Sequence, residues 1–565
     1  MATIISKTKK GHKYYYVVES GRVNGKPRIT WQKYLGTLES ILKRTEDATP
    51  PAPKETVLSE FGGVAALLGI TQRLELFDLI NTVVPKRNQG PSVGHYMVLA
   101  ALNRALAPCS KLEIGDWYEQ TVLRRLWGFP KSAFSSQRFW DHMDMVSEEA
   151  IEAVERTLVQ TVREQFTIDT RLLLYDTTNF FTFLATTNDR APSAQRGKSK
   201  AKRNDLRLLG LALMVTRDFQ IPLMHRVYPG NVPDVTLLPQ IFREMRDRYH
   251  EICGGGGHEE VTLVLDKGNI SDENLEYLIC NKVSFVAGVT VQRFPDLFAT
   301  PLSEFQEIPG VPGTRAFRTP VTLLENQCQV VVSHSESFFT QQLAGVTNNM
   351  VKCQKKLLDL AKSLERWHQK KGRGKRPTTR SVQASVKRIL APQFMADLFH
   401  VSVDSTLNLP RLHFAVKHGA LENLMATRLG KNAILSNQTS WDATNVIQAY
   451  RGLASVEEAF KHLKNHSFLH WQPQYHWTEQ KLRVHSFYCV LALLISTLAH
   501  QQVVRHGLDI SLPAMLKELG AIREVAVIYP KGTLARGKDH VTLSRMSPRQ
   551  RKLAECLAIA DVVAG

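Results

Sequence analysis

The fold is decided by the stretch Leu172-Leu173-Leu174-Tyr175-Asp176, an apolar run that ends in an acid. A short, continuous apolar run is typical of a strand that is buried on both faces of a sheet. A second run of this kind, Val261-Thr262-Leu263-Val264-Leu265, is followed by Asp266. We therefore predict two interior strands, each with an aspartate at its carboxyl end.

The elements around these two strands follow an informative order. The patterns predict strands at 171–184, 206–216 and 221–228, a helix at 234–249, the strand ending at Asp266, a helix from Ser271 and a strand at 283–289. This is the order of a ribonuclease-H-like α/β fold, in which the first and fourth strands are neighbours at the sheet centre. We therefore expect Asp176 and Asp266 to lie side by side.

A third acid stands in the stretch 450–464, YRGLASVEEAFKHLK. Read as one helix, this stretch places Tyr450, Glu457 and Lys464 at intervals of seven along a single face. The competing acid, Glu458, lies about 100° further around the helix and is expected at the surface. Because this helix comes so late in the chain, we predict that residues 291–445 form an insertion domain.

The composition favours a polyanionic partner. Lysine and arginine number 72 against 53 acidic residues, which gives a formal net charge of +19 and a pI near 9.6. Such an excess favours nucleic acid through the release of counterions. On charge alone, an ordinary basic soluble protein remains the alternative.

The cysteines and the apolar segments exclude other classes. Seven scattered cysteines without a Cys-x-x-Cys pair indicate neither a disulfide framework nor a cysteine zinc site, so we expect a reducing, cytoplasmic compartment. The longest apolar run, 487–499, is shorter than the roughly 20 residues that a membrane span needs. It predicts a buried helix and no membrane partner.

Further modules flank the predicted core, which comprises residues 168–290 and 446–505. Alternating residues on both sides of Asn24-Gly25 predict a β-hairpin module over 1–45. The period is helical over 56–166, which predicts a helical DNA-binding region, with a purely structural bundle as the alternative. A C-terminal region, 506–565, completes the chain.

The three acids, together with Tyr450 and Lys464, resemble the DDE transposases of bacterial insertion sequences. More narrowly, the chain is similar to the branch whose third motif is Tyr-x-x-Arg-x-x-x-Glu-x-x-x-x-x-x-Lys and whose catalytic fold carries a β insertion before the glutamate. Tyr450, Glu457 and Lys464 match that spacing, whereas Leu453 occupies the arginine position.

The resemblance implies a transposase that binds the terminal inverted repeats of its element, cuts the ends and joins them to target DNA. It implies two Mg²⁺ or Mn²⁺ ions, with Asp176 as the bridging ligand and Asp266 and Glu457 holding one ion each. It also implies a synaptic homodimer on double-stranded DNA. One alternative is a metal-dependent nuclease that does not join strands. The other is a DNA-binding protein whose catalytic centre has decayed, which is suggested by Leu453 at the arginine position.

A set of side chains is predicted to contact DNA. Lys464 and Tyr450 would reach phosphates from the helix face. A basic loop joins the strand of Asp176 to its neighbour and is expected near the acids. The predicted DNA-binding residues are Tyr450, Arg451, Lys461, Lys464, Lys198, Lys200, Lys202 and Arg203. A separate basic run, 370–376, is more typical of a solvated loop, with phosphate contact as the alternative.

Overall fold

The computed structural model describes residues 2–23, 26–46, 53–87, 89–197, 203, 205–233, 236, 241, 244, 261–404, 409–529 and 540–564. The chain divides into two compact units. The first comprises Met1–Phe61 and Ile522–Ser547, and the second comprises Gly62–Ala521 and Pro548–Gly565.

Small antiparallel sheets form the described part of the first unit. β1 (Ala2–Lys9), β2 (His12–Val23) and β3 (Lys26–Gly36) make a meander that α1 (Leu38–Glu46) follows. The predicted hairpin is confirmed by the pairing of β2 with β3, although its Asn24-Gly25 turn lies outside the described residues. β4 (Glu55–Glu60) pairs with the strand Arg523–Ile528. The helical prediction from residue 56 is therefore wrong at its start, because a distant segment of the chain recruits these residues into a sheet.

Helices make up most of the second unit outside its sheet. One of them, Glu479–Arg505, is long and apolar enough to cross a membrane, but 94% of its apolar window is buried inside the structure, so the prediction of a buried helix is confirmed. The helices are α2 (Gly62–Arg73), α3 (Leu76–Val83), α4 (Val93–Leu106), α5 (Ile114–Glu119), α6 (Leu123–Trp127), α7 (Ser136–Asp144), α8 (Glu148–Phe166), α9 (Asp272–Cys280), α10 (Pro295–Ala299), α11 (Glu336–His368), α12 (Thr379–Ile389), α13 (Met395–Leu398), α14 (His418–Thr427), α15 (Ala443–Arg451), α16 (Leu453–Leu463), α17 (Glu479–Arg505), α18 (Leu512–Gly520), α19 (Pro548–Cys556) and α20 (Asp561–Ala564).

A mixed sheet, nine-stranded over the described residues, organises the second unit. Its strands are β5 (Leu172–Thr182), β6 (Arg207–Thr216), β7 (Pro222–Pro229), β8 (Thr262–Leu265), β9 (Ser284–Val289), β10 (Gln306–Glu307), β11 (Thr314–Leu323), β12 (Asn326–Ser335) and β15 (Lys431–Ser436). The two strands between β12 and β15 along the chain, β13 (Phe399–Asp404) and β14 (Arg411–Val416), form a separate hairpin. The order is β10-β11-β12-β15-β9-β8-β5-β6-β7. β8 is parallel to both β5 and β9. The predicted adjacency of the first and fourth strands, β5 and β8, is therefore confirmed.

Two other predictions have different outcomes. The helix predicted at 234–249 lies almost entirely outside the described residues. The single helix predicted over 450–464 is two helices, α15 and α16, divided at Gly452. A Cβ atom at this position would lie 2.9 Å from the Ala449 carbonyl oxygen and 3.3 Å from a methyl carbon of Leu174, so the glycine lets the helix junction approach β5 closely.

The segment predicted as an insertion, 291–445, contributes to two structures. β10, β11, β12 and β15 extend the central sheet. Between β12 and β15, the described residues of 336–430 form a substructure that we call the arm. It contains α11 to α14 and the hairpin of β13 and β14, and its core includes Cys353, Leu357, Leu364 and Phe399.

Candidate active site

Two adjacent strands hold the two predicted aspartates together. In the parallel ladder of β5 and β8, Tyr175 pairs with Leu265. The next residues along the two strands are Asp176 and Asp266, and residues that follow a parallel pair share the opposite face of the sheet. The ladder therefore brings the two carboxylates to the same face, at the point where β8 ends.

Tyr450, which is predicted to contact a phosphate, contacts one of these aspartates in the structure. Its hydroxyl donates a hydrogen bond to Asp266 Oδ1 across 3.1 Å. Burial and the nearby Asp266 carboxylate raise the pKa of Tyr450 well above its ordinary value, so the hydroxyl stays protonated and able to donate. Gly288 on β9 provides the space, because a Cβ atom there would lie 2.2 Å from the hydroxyl oxygen.

The third predicted acid faces the same space. A cavity of about 710 Å³ is lined by Asp176, Asp266 and Glu457. Glu457 lies on α16, is exposed, and makes no hydrogen bond or ion pair within the described part of the chain. Glu458 is also exposed but does not line this cavity. The predicted preference for Glu457 over its neighbour agrees with this placement.

Positive charges surround the acids on the cavity wall. Lys267, Arg428, Lys431 and Arg451 all line it. The buried Lys431 donates hydrogen bonds to the carbonyl oxygens of Phe298 and Thr300, at 2.7 and 2.8 Å. Burial lowers the pKa of this ammonium group. The cavity wall thus combines carboxylates that can bind metal ions with basic side chains that can bind phosphates. This combination suits a phosphodiester chain.

Arg451 and Leu453 occupy the same wall. The guanidinium of Arg451 donates a hydrogen bond from Nη2 to Thr314 Oγ1 across 2.9 Å. Leu453, at the arginine position of the signature, is buried and 9% exposed. On a single straight helix these two side chains would point about 160° apart. Both nevertheless line the cavity, and the break at Gly452 lies between them.

Lys464 lies along the strand that carries Asp176. Its ammonium donates a hydrogen bond to Thr178 Oγ1 across 2.6 Å and lies 5.2 Å from the ring centroid of Phe180. Asp176, Thr178 and Phe180 share one face of β5 because side chains alternate along a strand. The lysine that follows α16 is thus placed on the same face of β5 as the first aspartate.

Two of the remaining predicted DNA-binding residues, Lys461 and Arg203, do not line the cavity. Lys461 is exposed on α16 and is not a lining residue. Arg203 is exposed and forms an ion pair with Asp205, 2.6 Å apart, which lowers the pKa of Asp205 to about 2. Lys198, Lys200 and Lys202 lie outside the described residues.

Several site residues were missed in the sequence. Lys267 follows Asp266 directly, and Thr178 stands two residues after Asp176 on the same strand face, so both could have been found from their spacing. Gly288, Thr314 and Lys431 belong to strands that meet the acids only through the sheet order, which no local pattern reveals.

The donor set suits hard divalent cations. The three acids offer carboxylate oxygens, the ligands that Mg²⁺ and Mn²⁺ prefer. Tyr450 engages Oδ1 of Asp266 and leaves Oδ2 without a hydrogen bond among the described residues. Over the same residues, no three Asp, Glu, His or Cys side chains form a ready group for one metal ion. The three acids therefore line one cavity without forming a ready three-ligand group among the described residues.

Comparison with known proteins supplies the family. No curated protein matches the chain. A solved piggyBac transposase synaptic complex with hairpin DNA is similar over 80% of this chain and 79% of that one, with 9% identity and a TM-score of 0.38, which is too low to carry an argument. Residues 168–495, more than half of the chain, match the family described as "Transposase DDE domain". The chain therefore belongs to the DDE transposase family.

Proposed function

We propose that this transposase binds the terminal inverted repeats of a bacterial insertion sequence, cuts its ends and joins the freed 3′-hydroxyls to target DNA. The observation that carries the proposal is the single cavity that Asp176, Asp266 and Glu457 line together with basic side chains. The same proposal assigns the protein to the branch with the Tyr-Arg-Glu-Lys signature and gives it a ribonuclease-H-like core. It also makes the protein a homodimer in the synaptic complex, located in the cytoplasm.

DDE transposases generally use divalent metal ions. In this proposal Asp176, Asp266 and Glu457 would hold two Mg²⁺ or Mn²⁺ ions. Bound there, the ions supply activation of the attacking oxygen and stabilisation of the leaving oxygen. Carboxylates from adjacent strands are well suited to the role, because the hydrogen bonds of the sheet hold the two aspartates in a fixed relation.

The basic side chains bind and orient the DNA. Lys464 and Arg451 would contact phosphates that flank the reacting group, on either side of the acids. Both donate hydrogen bonds to threonine hydroxyls, at Thr178 and Thr314, and these contacts orient the two side chains. Tyr450 keeps the carboxylate of Asp266 oriented, and Lys461 and Arg203 would add contacts further from the reacting atoms.

Cleavage and joining assays test the proposal. A duplex that carries an inverted repeat flanking the coding region should be cut in Mg²⁺ and joined to a second duplex. Asp176→Asn and Asp266→Asn should abolish cutting while leaving end binding within a few-fold of wild type, because each removes one negative charge and almost no volume. Cutting without joining would favour the nuclease, and binding without cutting by the wild type would favour the decayed protein. Wild-type cutting by either variant would remove that residue from the site.

A further inference from the structure

The strongest concentration of charge in the chain lies in the arm. Residues 351–388 contain thirteen lysines and arginines and two acids, a formal charge of +11 in a chain whose total is +19. We call these thirteen side chains the basic patch. They are Lys352, Lys355, Lys356, Lys362, Arg366, Lys370, Lys371, Arg373, Lys375, Arg376, Arg380, Lys387 and Arg388.

The basic patch is exposed, and twelve of its thirteen side chains are unpaired among the described residues. All thirteen side chains are exposed. Arg376 aside, none of their side chains makes a hydrogen bond or an ion pair with another described residue. Like charges this close repel one another and destabilise the free protein, and a polyanion relieves that repulsion. The patch is therefore suited to binding a polyanion.

The patch stands on an ordered scaffold, unlike a basic tail. On α11, Cys353, Leu357 and Leu364 face the core of the arm, while Lys352, Lys355, Lys356, Lys362 and Arg366 are exposed. Val382 and Leu390 bring α12 and its end onto the same core. Helix packing thus fixes where the charges of α11 and α12 lie.

The scaffold starts at the acid cavity. Phe338 and Gln342, in the first turns of α11, line the cavity. At 1.5 Å per residue, Lys352 lies about 15 Å and Arg366 about 36 Å along the helix from Gln342. Base pairs of a duplex rise by about 3.4 Å, so this distance corresponds to about 4 to 11 base pairs.

We propose that the basic patch binds the phosphate backbone of duplex DNA that continues from the strand held in the acid cavity. The position of that duplex, about 4 to 11 base pairs from the scissile bond, rests on the proposed function. Binding of a duplex by the patch does not. The duplex could belong to the element end or to the target, and both offer the same phosphates.

Salt dependence of binding tests the proposal. A Lys352→Gln, Lys355→Gln, Lys362→Gln variant is compared with a matched control, Arg549→Gln, Arg551→Gln, Lys552→Gln, which removes three exposed charges of α19 in the same unit. Affinity for an end duplex and for a joined end–target product is measured without Mg²⁺ across a range of salt. Each lost phosphate contact reduces the slope of log affinity against log salt by about 1.

We expect the arm variant to lose about 3 from that slope on at least one duplex, and the control to lose none. Loss on the end duplex assigns the element DNA, and loss only on the joined product assigns the target. Unchanged slopes on both duplexes, or equal losses in the control, would overturn the proposal. Binding confined to vesicles of anionic phospholipid would also overturn it.

Two further measurements separate this proposal from the proposed function. Asp266→Asn should keep the full salt slope, since it lies outside the patch. If Asp266→Asn cuts normally while the arm variant loses its slope, the acid site is wrong and binding by the patch stands.

Hydroxyl-radical footprinting should show protection about 4 to 11 base pairs from the cut, which the arm variant loses and the control keeps. Thermal unfolding confirms that both variants are folded.

Discussion

The Tyr450 hydroxyl donates a hydrogen bond to Oδ1 of Asp266 across 3.1 Å. The contact joins the last turn of α15 to the residue that follows β8. Groups that hydrogen-bond to a metal-binding carboxylate fix its orientation, and their loss reduces metal affinity or activity. The tyrosine therefore couples the helix that leads to Glu457 to the strands that carry the two aspartates.

Tyr450→Phe should slow cleavage by about tenfold to a hundredfold, because Asp266 loses the donor that orients it. The Mg²⁺ concentration for half-maximal cleavage should rise, while end affinity stays near wild type. Tyr475→Phe, at a tyrosine that is 60% exposed, is the control and should behave as wild type. Reduced end affinity with an unchanged Mg²⁺ requirement would place Tyr450 on a phosphate instead.

Gly288→Ala should impair both cleavage and folding. Its methyl group would fall 2.2 Å from the Tyr450 hydroxyl, so the helix or the strand must move, at a cost of about 1–3 kcal/mol in the free energy of unfolding. Gly345→Ala is a matched control, because the space around that helical glycine is open to 4 Å and alanine favours a helix. Chemical denaturation measures the free energy of unfolding of both variants. Equal stability of the two variants would contradict the tight packing at Gly288.

Lys464→Gln should reduce the slope of log end affinity against log salt by about 1, since one phosphate contact is lost. Thr178→Val removes only the acceptor that holds the ammonium, so it should leave that slope unchanged and lower the cleavage rate modestly. Binding titrations at several salt concentrations distinguish the two. A wild-type slope in Lys464→Gln would show that this lysine does not bind DNA.

The free energy of unfolding should fall as the pH is lowered from about 6.5 toward 4. Burial, with a smaller effect of the Lys86 charge, lowers the pKa of His95 to about 4. An unfolded histidine takes up its proton near pH 6.5, so the unfolded state binds more protons throughout this window and acid favours unfolding. In His95→Gln the thermal midpoint should fall less over the same range. Parallel curves for variant and wild type would contradict the assignment.

The central sheet could be predicted because its interior strands are continuous apolar runs. Such runs located β5, β6, β8 and β9 to within a few residues, and the mixed pattern of 221–228 located β7 as closely. The order of the strands placed Asp176 beside Asp266. Ser271 was placed correctly at the start of α9, where its side chain accepts a hydrogen bond from the Asn274 backbone. These features depend on local patterns and on one rule of topology.

Other features depend on contacts between distant segments. Residues 55–60 form a strand only because 523–528 pair with them, and the break at Gly452 follows from its approach to Leu174. The contact of Tyr450 with Asp266 needs both the sheet order and the missing side chain at Gly288. Spacing along a helix placed Tyr450, Glu457 and Lys464 on one face, but it could not say which partner each would meet.

The most direct test of a shared acid site compares two adjacent glutamates. Glu457→Gln and Glu458→Gln remove the same charge from the same helix, one at the cavity and one outside its lining. End cleavage in Mg²⁺ is measured for both at equal end occupancy. The account predicts that Glu457→Gln abolishes cleavage and Glu458→Gln cuts at the wild-type rate; normal cleavage by Glu457→Gln would contradict it.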